Sequence, residues 1–284
     1  MKACSLEKLA AFTTSPKGGN PAGVWVGENL PESHEMQKIA REVGFSETAF
    51  VSPTKGNVRT VRYFSPEAEV PFCGHATIAA GVALGRQAGG GIYQFNTTVG
   101  CIPVEVSQRG GLMYASLTSV APEFESAPSL LLKNTLSALG WDKKELNVTI
   151  PPARAFAGAW HLVIAVKSKS RLDDLNYDFD LLKKIMLADN LTTLQLIWRE
   201  NDTLFHSRNP FPVGGVVEDP ATGAAAAALG GYLREAKIIQ APVDINLLQG
   251  EMMGRPSQIK VSIPAVGGIT VSGSAVDINP NNSV

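Results

Sequence analysis

A strand, a loop and a helix start occur twice in this sequence, and this repetition constrains the fold more than any other feature. In the first half, residues 61–64 (VRYF) precede a proline-bearing loop, residues 73–77 (CGHAT) and a helix of small residues. In the second half, residues 203–206 (TLFH) precede another proline-bearing loop, residues 219–223 (DPATG) and another such helix. The pattern predicts two similar domains, each containing one of these units.

Length and composition agree with that prediction. The chain has 284 residues, which is enough for about two domains of ordinary size. Its 27 glycines and 18 prolines interrupt the chain often, which favours many short strands over long helices. Small-residue helices are predicted near 76–88 and 222–236, and residues 122–128 (PEFESAP) are typical of a linker. We therefore expect a two-lobed α+β protein.

Charge and cysteine usage exclude several classes of function. The 25 basic and 26 acidic residues give a net charge of −1, so there is no electrostatic case for nucleic acid or an anionic membrane as a partner. No stretch of 18 uncharged apolar residues occurs, and charges interrupt residues 1–12, so neither a membrane span nor a signal peptide is expected. The three cysteines are too few and scattered for a disulfide framework or a paired-cysteine metal site. We expect a cytoplasmic protein without a metal.

The segment 218–223 (EDPATG) has two interpretations. An aspartate before proline, here Asp219, favours a helix start, because the carboxylate caps free amides and proline fits the first turn. Alternatively, Gly223 and the alanines 224–228 leave the helix amides unshielded, so that they could bind a carboxylate or a phosphate. The same alanines would also let the helix lie buried against a sheet, and the pattern alone does not decide.

Two segments of the first half contain candidate proton-transfer groups. Gly74 permits close approach of the backbone, and His75 offers a proton donor that can change state near neutral pH. Glu47 lies where a glycine-capped helix gives way to an apolar strand. Apolar surroundings disfavour a charged carboxylate, which is one way to tune a general base. An exposed glutamate at a strand edge, and a structural histidine, would fit the same spacing.

Other catalytic templates are missing from the sequence. It has no nucleophile elbow, no phosphate-binding loop of the Walker type, no HExxH and no dinucleotide fingerprint. The residue pattern therefore predicts a site for proton transfer on a small carboxylate substrate, and it leaves the identity of the enzyme open.

Five motifs together resemble a known family. They are residues 19–24 (GNPAGV), 45–50 (FSETAF), 62–66 (RYFSP), 72–77 (FCGHAT) and 218–223 (EDPATG). With the late segment 249–256 (QGEMMGRP), their order and spacing resemble the phenazine-biosynthesis PhzF-like isomerases over essentially the whole chain.

The resemblance implies a diaminopimelate epimerase-like fold. Two pseudo-symmetric lobes would each wrap a mostly antiparallel sheet around a central helix, with the site in the cleft between them. The first lobe would contain residues 1–118 and 268–284, and the second residues 119–267. Members of the family are commonly homodimers, and they use no metal or organic cofactor.

The resemblance also assigns roles to individual residues. Glu47 matches the catalytic acid/base of the family. The positions that match substrate-binding residues are Asn20, Gly74, His75, Asp219, Gly223 and Ala224. Ala224 departs from the family pattern, which has a serine there, so one hydroxyl contact with the substrate is missing.

Cys73 stands where related racemases and epimerases have the first of two catalytic thiols. The second thiol would fall at Pro220, so epimerisation by two thiols is unavailable to this chain. The leading hypothesis is an isomerase in which Glu47 moves a proton within a small carboxylate-containing metabolite, as a double-bond or hydrogen shift. The alternatives are an epimerase or racemase that does not use two thiols, and a non-catalytic small-molecule binding protein.

Overall fold

The computed structural model describes residues 4–278 of the chain. These residues divide into two compact units. The first contains residues 4–118 and 272–278, and the second contains residues 119–271. The first unit is therefore formed by two segments that flank the second unit in the sequence.

Short strands dominate both units, as the frequent glycines and prolines predict. In chain order, the elements are β1 Ser5–Ala11, β2 Asn20–Val26, α1 Ser33–Val43, β3 Glu47–Pro53, β4 Val58–Phe64, β5 Glu69–Val70, α2 Gly74–Ala88, β6 Gly91–Thr97, β7 Gly100–Arg109, β8 Leu112–Thr118, β9 Glu123–Ser126, α3 Ser129–Leu139, β10 Ala153–Phe156, β11 Trp160–Ala165, α4 Lys169–Asp173, α5 Phe179–Ala188, β12 Thr193–Arg199, β13 Leu204–Phe211, β14 Val216–Asp219, α6 Gly223–Glu235, β15 Val243–Gln249, β16 Ser257–Ile263 and β17 Thr270–Asp277.

The sheet of the first unit closes around a helix. β1 and β2, β3 and β4, and β6 and β7 are antiparallel pairs, while β2 with β3 and β4 with β6 are parallel. β8 extends the sheet from β7, and β17 pairs with both β8 and β1, which closes the ring. α2 lies inside and is buried from His75 to Gly85. A Cβ added at Gly81 would lie 2.7 Å from the Cβ of Ala115, so the approach of α2 to β8 requires glycine there.

The second unit repeats this order of pairings. β10 and β11, β12 and β13, and β15 and β16 are antiparallel, while β11 with β12 and β13 with β15 are parallel. Its central helix is α6, which is buried from Ala225 to Leu233 and packs on β9, β10 and β16. Outside the sheet, leucine-rich α3 and α5 form a further core around Leu182, Met186 and Leu196.

The predicted fold class is confirmed by these two pseudo-symmetric units, each with a mostly antiparallel sheet around a central helix of small residues. One local interpretation of the sequence is wrong: Asp219 is not the N-cap residue of the helix that follows it. α6 begins at Gly223, its N-cap residue is Thr222, and Asp219 ends β14. Among residues 4–278, no helix combines the length and apolarity needed to cross a membrane.

Candidate active site

Two parallel strands of the first unit begin beside each other, and each begins with a predicted site residue. Asn20 starts β2 and Glu47 starts β3, with Ala22 opposite Glu47 in the parallel register. The position of Glu47 follows from the end of α1. Gly44 takes a left-handed φ of 73° there, and its N–H donates to the carbonyl of Ala40, which ends the helix and directs the chain into β3.

The start of α2 supplies the third part of the site. Cys73 is the N-cap residue, and Gly74 and His75 are the first two helical residues. The hydroxyl of Thr77 donates to the carbonyl oxygen of Cys73 at 2.7 Å, and the buried Tyr63 hydroxyl lies 2.7 Å from the hydroxyl of Thr77. Burial raises the pKa of Tyr63 far above its ordinary value, so this phenol stays neutral. These bonds fix the backbone from which Cys73 and His75 project.

His75 is the centre of the cluster. Its Nε2 lies 3.3 Å from Oε2 of Glu47 and 3.4 Å from Oγ of Ser46, and its Nδ1 lies 3.2 Å from Nδ2 of Asn20. Because an amide nitrogen can only donate, Nδ1 accepts from Asn20 and the proton of a neutral ring lies on Nε2. The imidazole therefore donates toward the Glu47 carboxylate.

Glu47 keeps an accessible oxygen. Its side chain is 20% exposed, although Thr48, Ala49 and Phe50, which follow it in the strand, are fully buried. His75 and the Cys73 thiol, with Sγ at 3.5 Å, both contact Oε2. This arrangement leaves Oε1 to accept a proton from a bound molecule, which is the geometry that a general base requires.

The corresponding helix start in the second unit holds Asp219. The hydroxyl of Thr222 donates to Oδ2 of Asp219 at 2.5 Å, and Nε2 of Gln249 donates to that hydroxyl at 3.0 Å. Nε2 of Gln249 also donates to the backbone carbonyl of Asp219 at 2.7 Å. Gly223 is buried as the first residue of α6, and Ala224 follows it. Fully buried Gln249 therefore positions both Asp219 and the helix start.

Glu218, the other acid of this motif, has a structural role. It is 7% exposed, and its two carboxylate oxygens accept from the guanidinium of Arg208, with the shortest contact at 2.6 Å. Arg208 also donates to the backbone carbonyl of Asp173 at 2.8 Å. Because both groups are occupied in this pair, Glu218 is not available as a second proton-transfer group.

Three features of these sites are not predictable from the sequence motifs. Ser46 and Gln249 lie within quoted motifs but had no role assigned, and only the fold shows what they contact. The spacing of the Cys, His, Asp and Glu residues in the sequence predicts no metal site. In the structure, however, the possible ligand atoms of Glu47, Cys73 and His75 all lie within 4.8 Å of one another. The helix starts also correct one assignment: the counterpart of the N-cap Cys73 is Thr222, not Pro220.

Comparison with known proteins shows the family of this chain. A sequence model of the phenazine biosynthesis-like proteins (PhzC-PhzF) matches residues 9–279. The chain belongs to this family. The family resemblance seen in the motifs is therefore confirmed over nearly the whole chain.

Relatives in the family have isomerase names. The uncharacterized isomerase YfhB of Bacillus subtilis (strain 168) is 30% identical, with 97% of each chain covered. The trans-2,3-dihydro-3-hydroxyanthranilate isomerase of Pseudomonas fluorescens is 32% identical, with 88% of this chain and 86% of that one covered. These relatives confirm the expectation that the chain is an isomerase.

Solved structures confirm the fold. The PhzF-family phenazine biosynthesis protein of Bacillus anthracis is 25% identical and superimposes with a TM-score of 0.84, covering 98% of this chain and 97% of that one. A probable proline racemase from Agrobacterium radiobacter K84 reaches a TM-score of 0.64 at 10% identity, covering 97% of this chain and 91% of that one, so it shares the fold alone.

Proposed function

We propose that this isomerase moves a proton within a small carboxylate-containing metabolite, without a cofactor, and that Glu47 is the acid/base. The observation that supports the proposal most directly is the geometry of the Glu47 carboxylate. One oxygen is held by His75 Nε2 at 3.3 Å, and the side chain remains 20% exposed. A carboxylate oriented through one oxygen can take a proton with the other and return it to a neighbouring carbon of the same molecule.

The start of α2 would bind the substrate carboxylate. Its first turn contains no acidic residue, and the side chain of its N-cap residue makes no capping hydrogen bond, so the amides near Gly74 and His75 can donate to an anion. Asn20 would act with His75, because it fixes the imidazole through Nδ1. This set accounts for binding, for orientation and for proton transfer within one unit.

The second unit would supply further substrate contacts. Asp219, Gly223 and Ala224 are proposed to bind the polar groups of the substrate. The first turn of α6 likewise has no acidic residue and no side-chain cap. Ala224 offers no hydroxyl, so a contact that a serine would make is missing, and we expect the preferred substrate to differ there.

The name of the Pseudomonas relatives suggests a first test substrate. We propose that this chain acts on trans-2,3-dihydro-3-hydroxyanthranilate or on a related unsaturated carboxylate. In D₂O, NMR should show one deuterium entering the carbon that receives the proton while the double bond migrates. Glu47→Gln should bind the same compound with little loss of affinity and should fail to exchange.

Other outcomes of this experiment would contradict the proposal. Inversion of a stereocentre without migration of the double bond would indicate an epimerase. Binding without exchange in the wild-type protein would indicate a small-molecule binding protein. Exchange by Glu47→Gln at a rate close to wild type would remove Glu47 from the role of base.

We further propose, from the family resemblance, that residues 1–118 with 268–284 and residues 119–267 act as two lobes of one enzyme, and that the enzyme is a homodimer. Light scattering coupled to gel filtration should then give a mass of twice the 30.1 kDa of one chain. A mass equal to one chain across the working concentration range would exclude the dimer.

A further inference from the structure

We infer that Glu47, Cys73 and His75 form a binding site for Zn²⁺, and that zinc bound there stops the proposed proton transfer. The three donors come from the start of β3 and from the N-cap and first turn of α2. Their ligand atoms all lie within 4.8 Å of one another. The inhibitory effect, but not the binding, rests on the function proposed for Glu47.

The distances between these atoms fit a tetrahedral zinc site. With Zn–N near 2.0 Å, Zn–O near 2.1 Å and Zn–S near 2.3 Å, neighbouring ligand atoms of a tetrahedron lie about 3.3–3.7 Å apart. Nε2 of His75 lies 3.3 Å from Oε2 of Glu47, and Sγ of Cys73 lies 3.5 Å from the same oxygen. The third edge, between Sγ and Nε2, is 3.8 Å. Sγ also lies 3.4 Å from Nδ1, so the imidazole has to turn until the lone pair of Nε2 faces Sγ and Oε2 before the three atoms form corners of one tetrahedron.

The chemistry of the donors selects the metal. A thiolate and an imidazole favour zinc and related borderline metals, whereas magnesium and calcium prefer oxygen ligands. Three protein ligands leave a fourth position for water or for a group of the substrate, as in zinc sites that are open to small molecules. The 20% exposure of the Glu47 side chain gives the ion a route to the site.

Asn20 can support the metal-bound form of the ring. Ligation through Nε2 requires the proton of His75 to lie on Nδ1, where a hydrogen-bond acceptor is needed. The Asn20 amide already lies 3.2 Å from Nδ1, and rotation of the amide would present its oxygen instead of its nitrogen. The residue that orients His75 for proton transfer would then orient it for zinc.

Zinc bound here would inhibit the reaction. Bound to Oε2, it would withdraw electron density from the Glu47 carboxylate and lower the proton affinity of Oε1, so that the carboxylate could no longer accept a proton from the substrate. Chelation is therefore expected to leave metal-free enzyme unchanged and to restore enzyme that has been exposed to zinc. This behaviour is opposite to that of an enzyme that needs the metal.

Cobalt provides a readout that does not depend on activity. Co²⁺ titrated into the full-length protein should produce thiolate-to-cobalt absorption in the near ultraviolet, and Zn²⁺ should displace it. Cys73→Ser removes the sulfur and should abolish the band, whereas Cys101→Ser is a matched control because Cys101 is an exposed free cysteine. In the activity assay, Cys73→Ser should need at least roughly tenfold more Zn²⁺ for half inhibition, the scale of losing a ligand, and Cys101→Ser should match wild type.

The outcomes separate this inference from the proposed function. No cobalt–thiolate band, or an equal band in Cys73→Ser, overturns the zinc site even if Glu47→Gln abolishes turnover. A Cys73-dependent band without any inhibition supports the site and shows that Glu47 is not the base. A band with inhibition that EDTA reverses supports both.

Discussion

The two units place different chemistry at the same point of the same topology. In the first unit, the strand after α1 begins with Glu47, which is partly exposed and contacts His75. In the second unit, the strand after α5 begins with Thr193, which is 1% exposed and lies 2.8 Å from Nδ1 of the fully buried His161. Both residues lie at the start of the later strand of a parallel pair.

The environment decides what each histidine can do. His161 is enclosed with Thr193, Gln195 and Asn209, and burial lowers its pKa to about 3, so it stays neutral and structural. His75 lies beside a carboxylate that a substrate can reach. The starts of the two central helices also differ in chemistry. The first has the titratable residues Cys73 and His75, and the second has Thr222 and Ala224 at the corresponding positions. In the proposed function, the duplicated scaffold therefore supplies a proton-transfer group in one unit and substrate-binding residues in the other.

The largest expected effect tests the two strand starts directly. Glu47→Gln should lower turnover by about 100-fold or more, since a general base is lost. Thr193→Val should leave turnover per folded molecule close to wild type and should lower the free energy of unfolding by about 1–3 kcal/mol, because buried polar partners lose a hydrogen bond. Steady-state kinetics and urea unfolding of both variants give the comparison. Equal losses of turnover would mean that the strand starts do not differ in function.

The buried histidine should make stability depend on pH. The pKa of His161 is lowered to about 3 in the folded protein, while the unfolded chain has a pKa near 6.5. Below pH 6.5 the unfolded state therefore binds more protons, and the free energy of unfolding should fall as pH falls. The slope can approach about 1.4 kcal/mol per pH unit between pH 6 and pH 4.

Urea unfolding of His161→Gln at a series of pH values should show a flatter dependence than wild type. His34→Gln serves as the control, because His34 is exposed on α1, and its curve should parallel that of wild type. Identical slopes for wild type and His161→Gln would show that His161 does not titrate differently in the two states.

A smaller effect on catalysis is expected at Thr222, the N-cap residue of α6. Thr222→Val removes the hydroxyl that donates to Asp219 and accepts from Gln249. The loss of a hydrogen bond to a charged group should raise KM by roughly tenfold, with less change in kcat. Thr222→Ser, which keeps the hydroxyl, should restore KM. A fall in kcat alone would place Thr222 in the chemical step instead.

The smallest effect is expected at the N-cap of the first unit. Cys73→Ser should keep turnover within a few-fold of wild type, because its thiol is a weak donor to Glu47 at 3.5 Å and Glu47 is held by His75 as well. The measurement is turnover in metal-free buffer. A decrease as large as that of Glu47→Gln would make the thiol a second proton-transfer group and would bring the chemistry closer to that of two-base racemases.

The sequence predicts those parts of the molecule that depend on local patterns. Runs of small residues after a glycine at a helix start predict the central helices, because such helices fit inside a closed sheet. Contacts between side chains that depend on strand pairing cannot be predicted from short sequence patterns. The contact between Glu47 and Cys73 requires the parallel pairing of β2 with β3 and the position of α2 beside them.

The same reason explains one contact that the sequence does not predict and one interpretation that is wrong. The apolar strand around His161 gives no local sign that its histidine pairs with Thr193 thirty-two residues later. The sequence Asp219-Pro220 is typical of a helix start, but Gln249 donates to the carbonyl of Asp219 and to the hydroxyl of Thr222, and α6 begins only at Gly223. In both cases the decisive hydrogen-bond partner lies far away in the sequence.

The strand that closes the first sheet is synthesised after nearly the whole second unit. β17 covers the edges of both β1 and β8, although nearly the whole second unit lies between β8 and β17 in the sequence. On the ribosome, the second unit can therefore be complete while the first still has two open strand edges, which are sites for mispairing with other chains. A nascent chain of this topology has to keep those edges apart from neighbouring chains until β17 emerges. The enzyme's proposed base, on β3, thus lies in a unit whose sheet closes only after the second unit has been synthesised.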